Sequence, residues 1–274
     1  MKFTHADLAR LSGFLAEAAT TEIMPRFRKL ANGGIREKTS NLDLVTDADE
    51  AAEWMIRDCV AKAWPQALFI GEESVERDRS LLNQIADADL AIIVDPVDGT
   101  SNFAWGLPLF GVMAAVVSKG ETIAGIIHDP VGRDWLKALR GEGAWAESAT
   151  GATRALKVAA PVALAQMTGT SSWYQMPEPQ RSTTAANLAK VRATFAYRCA
   201  AYEYRMVADG LVHFSLHQKL MPWDHAAGVL IHAEAGGYSA CLDGAPYTAT
   251  RHDGGIISAP DRTSWAALRE ALIG

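Results

Sequence analysis

Apolar residues follow helical spacing in some segments of the chain and form short runs in others. Helical spacing predicts helices over Ala6–Phe27 and Ala48–Ala63. From there to about residue 150, short apolar runs bounded by turn residues predict strands. Val112–Val117 and Ile123–Ile127 flank a turn and should form a hairpin. This first half is therefore expected to be helices packed on a largely antiparallel sheet.

The pattern changes near residue 150, where predicted strands and helices begin to alternate. The predicted helices of this second half are Arg181–Lys190, Ala201–Ala208, Ala226–Ala235 and Ser264–Leu272. Alternation of this kind is typical of an α/β architecture. Because only Gly151-Ala152-Thr153 joins the halves, we expect 1–150 and 151–274 to pack tightly as one unit.

A candidate binding site follows the apolar run Leu90–Val94. The next residues, Asp95–Phe103, have the sequence D-P-V-D-G-T-S-N-F. Carboxylates at this spacing can ligate a hard cation, and Gly99 lets the backbone turn sharply beside them. The N–H groups that follow could face an anion if a helix starts there. The segment predicts a metal-dependent phosphate site, with an ordinary acidic turn as the alternative.

Other segments carry acidic residues in a comparable setting. Gly71-Glu72-Glu73-Ser74 ends another apolar run, and Asp43–Asp49 precedes and enters the second predicted helix. Trp223-Asp224 stands before a stretch of small residues that continues to Glu234-Ala235-Gly236-Gly237. Each segment, taken alone, is also compatible with a solvated loop or a helix cap.

Composition excludes several classes of protein. With 274 residues, 49% of them hydrophobic, the chain can bury a large core, and its net charge of −6 argues against binding nucleic acid or anionic membranes. Cys59, Cys199 and Cys241 are too widely spaced for a disulfide framework or a zinc site, so buried positions are expected. The N-terminal segment predicts an amphipathic helix rather than a signal peptide, and no apolar run has the length of a membrane span. We therefore expect a cytoplasmic protein.

Taken together and in this order, the acidic segments resemble the inositol monophosphatase family of lithium-sensitive, magnesium-dependent phosphomonoesterases. Asp95–Phe103 and Trp223–Gly237 match the two family signatures, and Gly71–Ser74 and Leu44–Asp49 match two further blocks. The resemblance runs from about Ala6 to the C-terminus. It implies an α+β fold, a layered αβαβα sandwich with the site between the halves, and a homodimer.

The resemblance also implies roles for individual residues. Glu72, Asp95 and the carbonyl of Val97 would hold one Mg²⁺, and Asp95, Asp98 and Asp224 a second, with a third, weaker ion near Glu72. Thr100 and Asp49 would orient the attacking water, with Glu72 beside them, and Lys38 could steady this network. Residues implied to contact substrate are Val97, Asp98, Gly99, Thr100, Arg198, Ala200, His217 and Asp224. The expected substrate is a small phosphorylated metabolite such as inositol 1-phosphate or a similar polyol phosphate.

The chain departs from the family pattern at two positions. Inositol-hydrolysing members carry an acidic residue seven positions before the aspartate that corresponds to Asp224, where this chain has His217. Family members usually have the small residues Gly-Thr/Ser-Ala before the helix predicted at Ala201–Ala208. This chain has Arg198-Cys199-Ala200 there instead. Two potential cations at the rim would favour a second anionic group on the substrate. Arg198 could instead pair with Glu203 or Asp209, and His217 could be an exposed loop residue.

Alternative functions therefore stay open. Bisphosphates such as fructose 1,6-bisphosphate or 3′-phosphoadenosine 5′-phosphate are alternative substrates, as is histidinol phosphate. A regulatory binding protein on the same fold is the non-enzymatic alternative, although every inferred metal ligand is present in the sequence.

Overall fold

A computed structural model describes residues 3–29, 35–40 and 43–274. Its larger sheet has seven strands in sequential order: β3 (Leu68–Gly71), β4 (Ala91–Asp98), β5 (Gly111–Ser118), β6 (Glu121–Asp129), β7 (Asp134–Leu139), β8 (Gly143–Glu147) and β9 (Thr153–Ala155). Strands β3 and β4 are parallel, and every later neighbour is antiparallel. The predicted hairpin, formed by β5 and β6, and the largely antiparallel sheet are confirmed.

A second sheet lies in the other half of the chain. It has five strands in the order β11-β10-β12-β14-β13, namely β10 (Thr168–Ser171), β11 (Ala193–Phe195), β12 (Phe214–His217), β13 (Tyr238–Cys241) and β14 (Ile256–Ala259). A short antiparallel ribbon, β1 (Ile35–Ser40) and β2 (Asp43–Thr46), precedes the second long helix. The helices are α1 (His5–Ala18), α2 (Asp47–Ala63), α3 (Glu72–Arg77), α4 (Thr100–Ala104), α5 (Gln180–Asn187), α6 (Ala200–Ala208), α7 (Pro222–Glu234) and α8 (Arg262–Leu272).

Helices and sheets alternate in five layers, as the resemblance implies. Helices α1 and α2 bury their apolar faces on one side of the seven-stranded sheet. Helices α6 and α7 cover its other side and separate it from the five-stranded sheet. Helix α8, with α5 beside it, packs on the far side of the second sheet. Each layer buries an apolar face against its neighbour, and this burial contributes most of the stability of the arrangement.

The two halves of the chain share these layers. Strand β9 follows the predicted junction at 150 and pairs with β8, so the first sheet extends to Ala155. Helices α6 and α7 belong to the second half but pack on the first sheet. None of the helices in the described part of the chain is long and apolar enough to cross a membrane.

The boundaries of α1 and α7 differ most from the sequence prediction. Helix α1 ends at Ala18 and continues as a π-helical turn, in which the N–H of Met24 donates to the carbonyl of Ala19. Pro25 follows and has no N–H to extend the helix. Helix α7 begins at Pro222, earlier than predicted, because proline is well tolerated at the first helical position. This start places Asp224 in the first turn.

Candidate active site

Three aspartates from distant parts of the chain converge at one point. Asp95 and Asp98 lie on β4, and Asp224 lies in the first turn of α7. One carboxylate oxygen from each aspartate lies within 4.8 Å of those of the other two. The structure thus brings together three of the residues that the family resemblance implies as metal ligands.

Glu72 reaches the same region because β3 and β4 are parallel neighbours. Gly71 pairs with Val94, so the end of β3 and Asp95 lie at one edge of the sheet. The turn after β3 is held by the Glu53 carboxylate, which accepts the N–H of Glu73 at 2.7 Å and the hydroxyl of Ser74 at 2.6 Å. Sequence analysis overlooked Glu53, a buried acid on α2 with no recognisable motif around it.

Burial and mutual repulsion destabilise the charged forms of these aspartates. Burial is the main cause that raises the pKa of Asp95 and Asp224 well above the usual value, and that of Asp98 to about 6. The charge of Glu72 acts in the same direction on all three, whereas Lys219 lowers the pKa of Asp224. Oxygen donors with uncompensated negative charge suit a hard divalent cation such as Mg²⁺.

The carboxylate of Asp98 is oriented by residues at the start of α6. Its Oδ2 accepts the N–H of Ala201 at 2.5 Å and the thiol of Cys199 at 3.0 Å. Cys199 is buried, as expected, but it is also a hydrogen-bond donor, which sequence analysis missed. The sequence did indicate this donor role, because Cys199 occupies the position at which the family usually has a hydroxyl donor, Thr or Ser.

Thr100 and Asp49 lie side by side next to the aspartate cluster. The Thr100 hydroxyl is 3.2 Å from Oδ1 of Asp49 and 2.9 Å from the carbonyl oxygen of Val97. The other oxygen of Asp49 accepts the N–H and the hydroxyl of Thr46, which forms a capping box at the start of α2. Asp49 therefore completes the capping box of α2 and is also a neighbour of Thr100.

The backbone between Asp95 and Thr100 turns as the glycine predicts. Gly99 has φ of 85°, and a Cβ there would lie 2.8 Å from the carbonyl oxygen of Leu109. The N–H of Val97 donates to Oδ1 of Asp95 at 3.0 Å, and the Val97 side chain is buried. Helix α4 begins directly after Gly99, so the N–H groups of its first turn have no intrahelical acceptor.

The expectation that His217 supplies a cation at the rim is wrong. His217 is only 6% exposed, and its ring is stacked on Tyr204 at a centroid distance of 5.3 Å. Burial lowers its pKa well below the usual value, so the ring is neutral at pH 7. All four residues of β12 are buried because sheet and helix layers cover both faces, which also rules out the exposed loop position.

Arg198 and Ala200 lie on the segment that leads into α6. Arg198 has φ of 55°, its guanidinium carbon is 5.0 Å from the centre of the Trp105 ring, and its Nη2 is 3.2 Å from the hydroxyl oxygen of Ser101. Asp209, one suggested partner of Arg198, pairs with Arg154. The side chain of Lys38 lies outside the described residues.

Comparison with known proteins agrees with this geometry. The model of the inositol monophosphatase family matches residues 8–273. The Nus factor SuhB of Escherichia coli K12 is 35% identical over 213 residues, which cover 73% of this chain and 72% of that protein. A fructose-1,6-bisphosphatase/inositol-1-monophosphatase of Thermotoga maritima is 30% identical over 204 residues, which cover 74% of this chain and 73% of that protein.

Solved structures show the same fold. The crystal structure of the extragenic suppressor protein suhB from Bartonella henselae superimposes with a TM-score of 0.81 at 27% identity, over 97% of this chain and 98% of that chain. The family match spans nearly the whole chain and includes all the acidic segments of the site. The chain belongs to the inositol monophosphatase family.

Proposed function

We propose that the protein is a magnesium-dependent phosphoric monoester hydrolase that acts on a small phosphorylated metabolite. The observation that carries this proposal is the convergence of Asp95, Asp98 and Asp224 within 4.8 Å beside the Thr100–Asp49 pair. A cluster of buried carboxylates would repel a phosphate unless cations lay between them. This cluster therefore supports a site in which cations lie between the carboxylates and a phosphate.

Each site residue has a role in this proposal. Glu72, Asp95, Asp98 and Asp224, with the carbonyl of Val97, hold two or three Mg²⁺ ions. Bound Mg²⁺ supplies positive charge that polarises the phosphoryl group and acidifies water.

The remaining residues act on water and substrate directly. The Thr100 hydroxyl has one proton and two acceptors within reach, Asp49 and the Val97 carbonyl. With the Val97 carbonyl assigned to Mg²⁺, the Thr100 hydroxyl donates to Asp49, and its oxygen can accept a proton of the incoming water and fix the position of that water. The backbone at Gly99 and Ala200 faces substrate. Inhibition by lithium is part of the same proposal.

Inositol 1-phosphate, or a similar polyol phosphate, is the first substrate to test. The name of the Thermotoga relative, which combines fructose-1,6-bisphosphatase with inositol-1-monophosphatase, supports both a polyol phosphate and a bisphosphate. Arg198 favours the bisphosphate alternative because its guanidinium lies beside Ser101, next to Thr100.

A second candidate function is a regulatory one. Several relatives at 35% identity are named Nus factor SuhB, which supports a role that depends on a protein partner. The cluster of Asp95, Asp98 and Asp224 supports hydrolysis alongside any such role, because partner binding alone would not require buried, mutually repelling carboxylates.

An assay of phosphate release distinguishes the enzymatic function from the regulatory one. Wild-type protein and Asp98→Asn are assayed with Mg²⁺ on inositol 1-phosphate, fructose 1,6-bisphosphate, histidinol phosphate and 3′-phosphoadenosine 5′-phosphate. We expect turnover of at least one substrate that falls by orders of magnitude in the variant. A folded wild-type protein with no turnover on the panel would refute the enzymatic proposal and leave the regulatory one.

A further inference from the structure

A buried acid on α2 supports the turn that carries Glu72. Glu53 is 3% exposed, its Oε2 accepts the N–H of Glu73 at 2.7 Å, and its Oε1 accepts the hydroxyl of Ser74 at 2.6 Å. Both donors belong to the first turn of α3, and the residue before this helix, Gly71, has no side chain that could cap it. Glu53 therefore caps α3 from another helix.

Gly71 leaves the space that the Glu53 carboxylate fills. A Cβ at position 71 would overlap this carboxylate, whose Cδ and two oxygens are the nearest atoms to it. The φ of Gly71 is −104°, which any residue adopts, so the close approach of Glu53 explains the glycine and the backbone conformation does not. Glu53 thus contacts the chain on both sides of Glu72.

The same helix carries Asp49 one turn before Glu53. Residues four positions apart lie on one face of a helix, and both of these acids are buried. Asp49 is 3.2 Å from the Thr100 hydroxyl, whereas Glu53 holds the turn after β3. One face of α2 therefore fixes two parts of the site relative to each other, the Thr100–Asp49 pair and the turn that carries Glu72.

We propose that Glu53 is a positioning residue for Mg²⁺, which directs Glu72 towards the aspartate cluster by holding the turn 71–74. This inference rests on the proposed function, because it concerns the metal site of that function. Glu53 does not bind the ion itself, since α3 engages both of its carboxylate oxygens. Loss of a group that orients a metal ligand typically costs about tenfold to a hundredfold in metal affinity.

Two substitutions of Glu53 separate hydrogen bonding from packing. Glu53→Met keeps a similar length and volume but accepts neither donor. In Glu53→Gln the amide oxygen accepts the N–H of Glu73, and the NH₂ group donates to the Ser74 oxygen once that hydroxyl turns. We expect Glu53→Met to raise the Kd for Mg²⁺ about tenfold to a hundredfold and Glu53→Gln to stay close to wild type.

Gly71→Ala disturbs the same contact from the other side. The atoms nearest to the added methyl group belong to the end of the Glu53 side chain, which can move, so this variant is expected to fold. It should weaken the binding of Mg²⁺ as Glu53→Met does, because the displaced carboxylate no longer caps α3. Glu76→Gln, on the exposed side of α3, is the matched control and should leave the Kd unchanged.

Calorimetric titration with Mg²⁺ alone measures these effects without turnover, and a double-mutant cycle shows which ligand Glu53 acts through. In a Glu72→Gln background, Glu53→Met should have little further effect on the Kd, because the ligand that it positions is already lost. In an Asp98→Asn background, Glu53→Met should keep its full effect. General damage to the fold would weaken Mg²⁺ binding equally in both backgrounds.

Several results of this cycle would overturn the inference. An equal effect of Glu53→Met in the two backgrounds would make Glu53 a purely structural residue. A wild-type Kd in Glu53→Met would show that its hydrogen bonds do not matter for the metal, and an equal loss in Glu53→Gln would assign the effect to charge. If Glu53→Met does not fold, Gly71→Ala takes its place in the same cycle.

The proposed function fails in a different way. A protein that binds Mg²⁺ but releases no phosphate from the substrate panel refutes the hydrolase proposal, and the cycle still tests Glu53. Equal effects in the two backgrounds refute only the role of Glu53. A wild-type protein that binds no Mg²⁺ overturns both proposals.

Discussion

The thiol of Cys199 lies 3.0 Å from Oδ2 of Asp98, so the second half of the chain fixes the orientation of a carboxylate on the first sheet. The N–H of Ala201 donates to the same oxygen at 2.5 Å. These contacts couple the position of α6 to the aspartate cluster. Two donors, a backbone N–H and a thiol, thus orient this carboxylate from the α6 side.

Cys199→Ala should weaken the binding of Mg²⁺ while Cys199→Ser preserves it. Alanine removes a donor to Asp98, and loss of a contact that orients a metal ligand typically costs about tenfold in metal affinity. The measurement is the Mg²⁺ concentration that gives half-maximal phosphate release. Cys59→Ser, on the outer helix α2, is the control and should behave as wild type. An unchanged Mg²⁺ requirement in Cys199→Ala would show that the backbone alone orients Asp98.

Much of the site could be predicted because its residues stand at the ends of elements. Asp95 and Asp98 follow an apolar run, and Asp224 stands in the first turn of a helix of small residues, so local pattern and family resemblance agree. Parallel pairing of β3 and β4 then brings Glu72 to the same edge.

Other features depend on packing between residues far apart in the chain. His217 is buried because it packs against α6, where the ring of Tyr204 stacks on the imidazole ring. No local sequence pattern contains that information. The contact between Cys199 and Asp98 joins residues 101 positions apart. The support that Glu53 gives to the turn after β3 is likewise a contact between elements.

Mg²⁺ should raise the melting temperature of the protein. The cation compensates charges that burial and repulsion now destabilise in Asp95, Asp98 and Asp224. A ligand at a hundredfold excess over its Kd stabilises the folded state by about 2.7 kcal/mol. Calorimetry with Mg²⁺ and with EDTA measures the shift. Asp224→Asn should reduce it, whereas Asp253→Asn, on an exposed loop, should not. Equal melting temperatures under both conditions would contradict a metal site.

Thr100→Val should lower kcat by about a hundredfold or more with little change in KM. Valine keeps the shape of threonine and the backbone N–H but loses the hydroxyl that meets Asp49 and Val97. Orientation and deprotonation of the attacking water contribute roughly that factor. Thr100→Ser retains the hydroxyl and is the matched control. A large rise in KM with unchanged kcat would assign Thr100 to substrate binding only.

Glu203 is a buried acid that joins α6 to the segment carrying Arg198. Its carboxyl group accepts the N–H of Tyr197 at 3.0 Å and lies 3.5 Å from Nδ1 of His217, which is neutral. Burial is the main cause that raises its pKa from 4.5 to about 8, and the charge of Asp98 adds to the rise. The folded state therefore favours the protonated form.

Glu203 should make the protein less stable as pH rises, and Glu203→Gln should remove this dependence. Below pH 4.5 both folded and unfolded states hold the proton, so the group has no effect there. Between pH 4.5 and about 8 the unfolded state loses the proton first, and the free energy of unfolding falls, by up to about 5 kcal/mol. From pH 5 to pH 9, urea denaturation should therefore show a larger loss of unfolding free energy in wild type than in Glu203→Gln. Glu270→Gln, on the exposed face of α8, is the control and should leave the difference between the two pH values as in wild type. The same pH dependence in Glu203→Gln and wild type would mean that Glu203 is ionised in the folded protein.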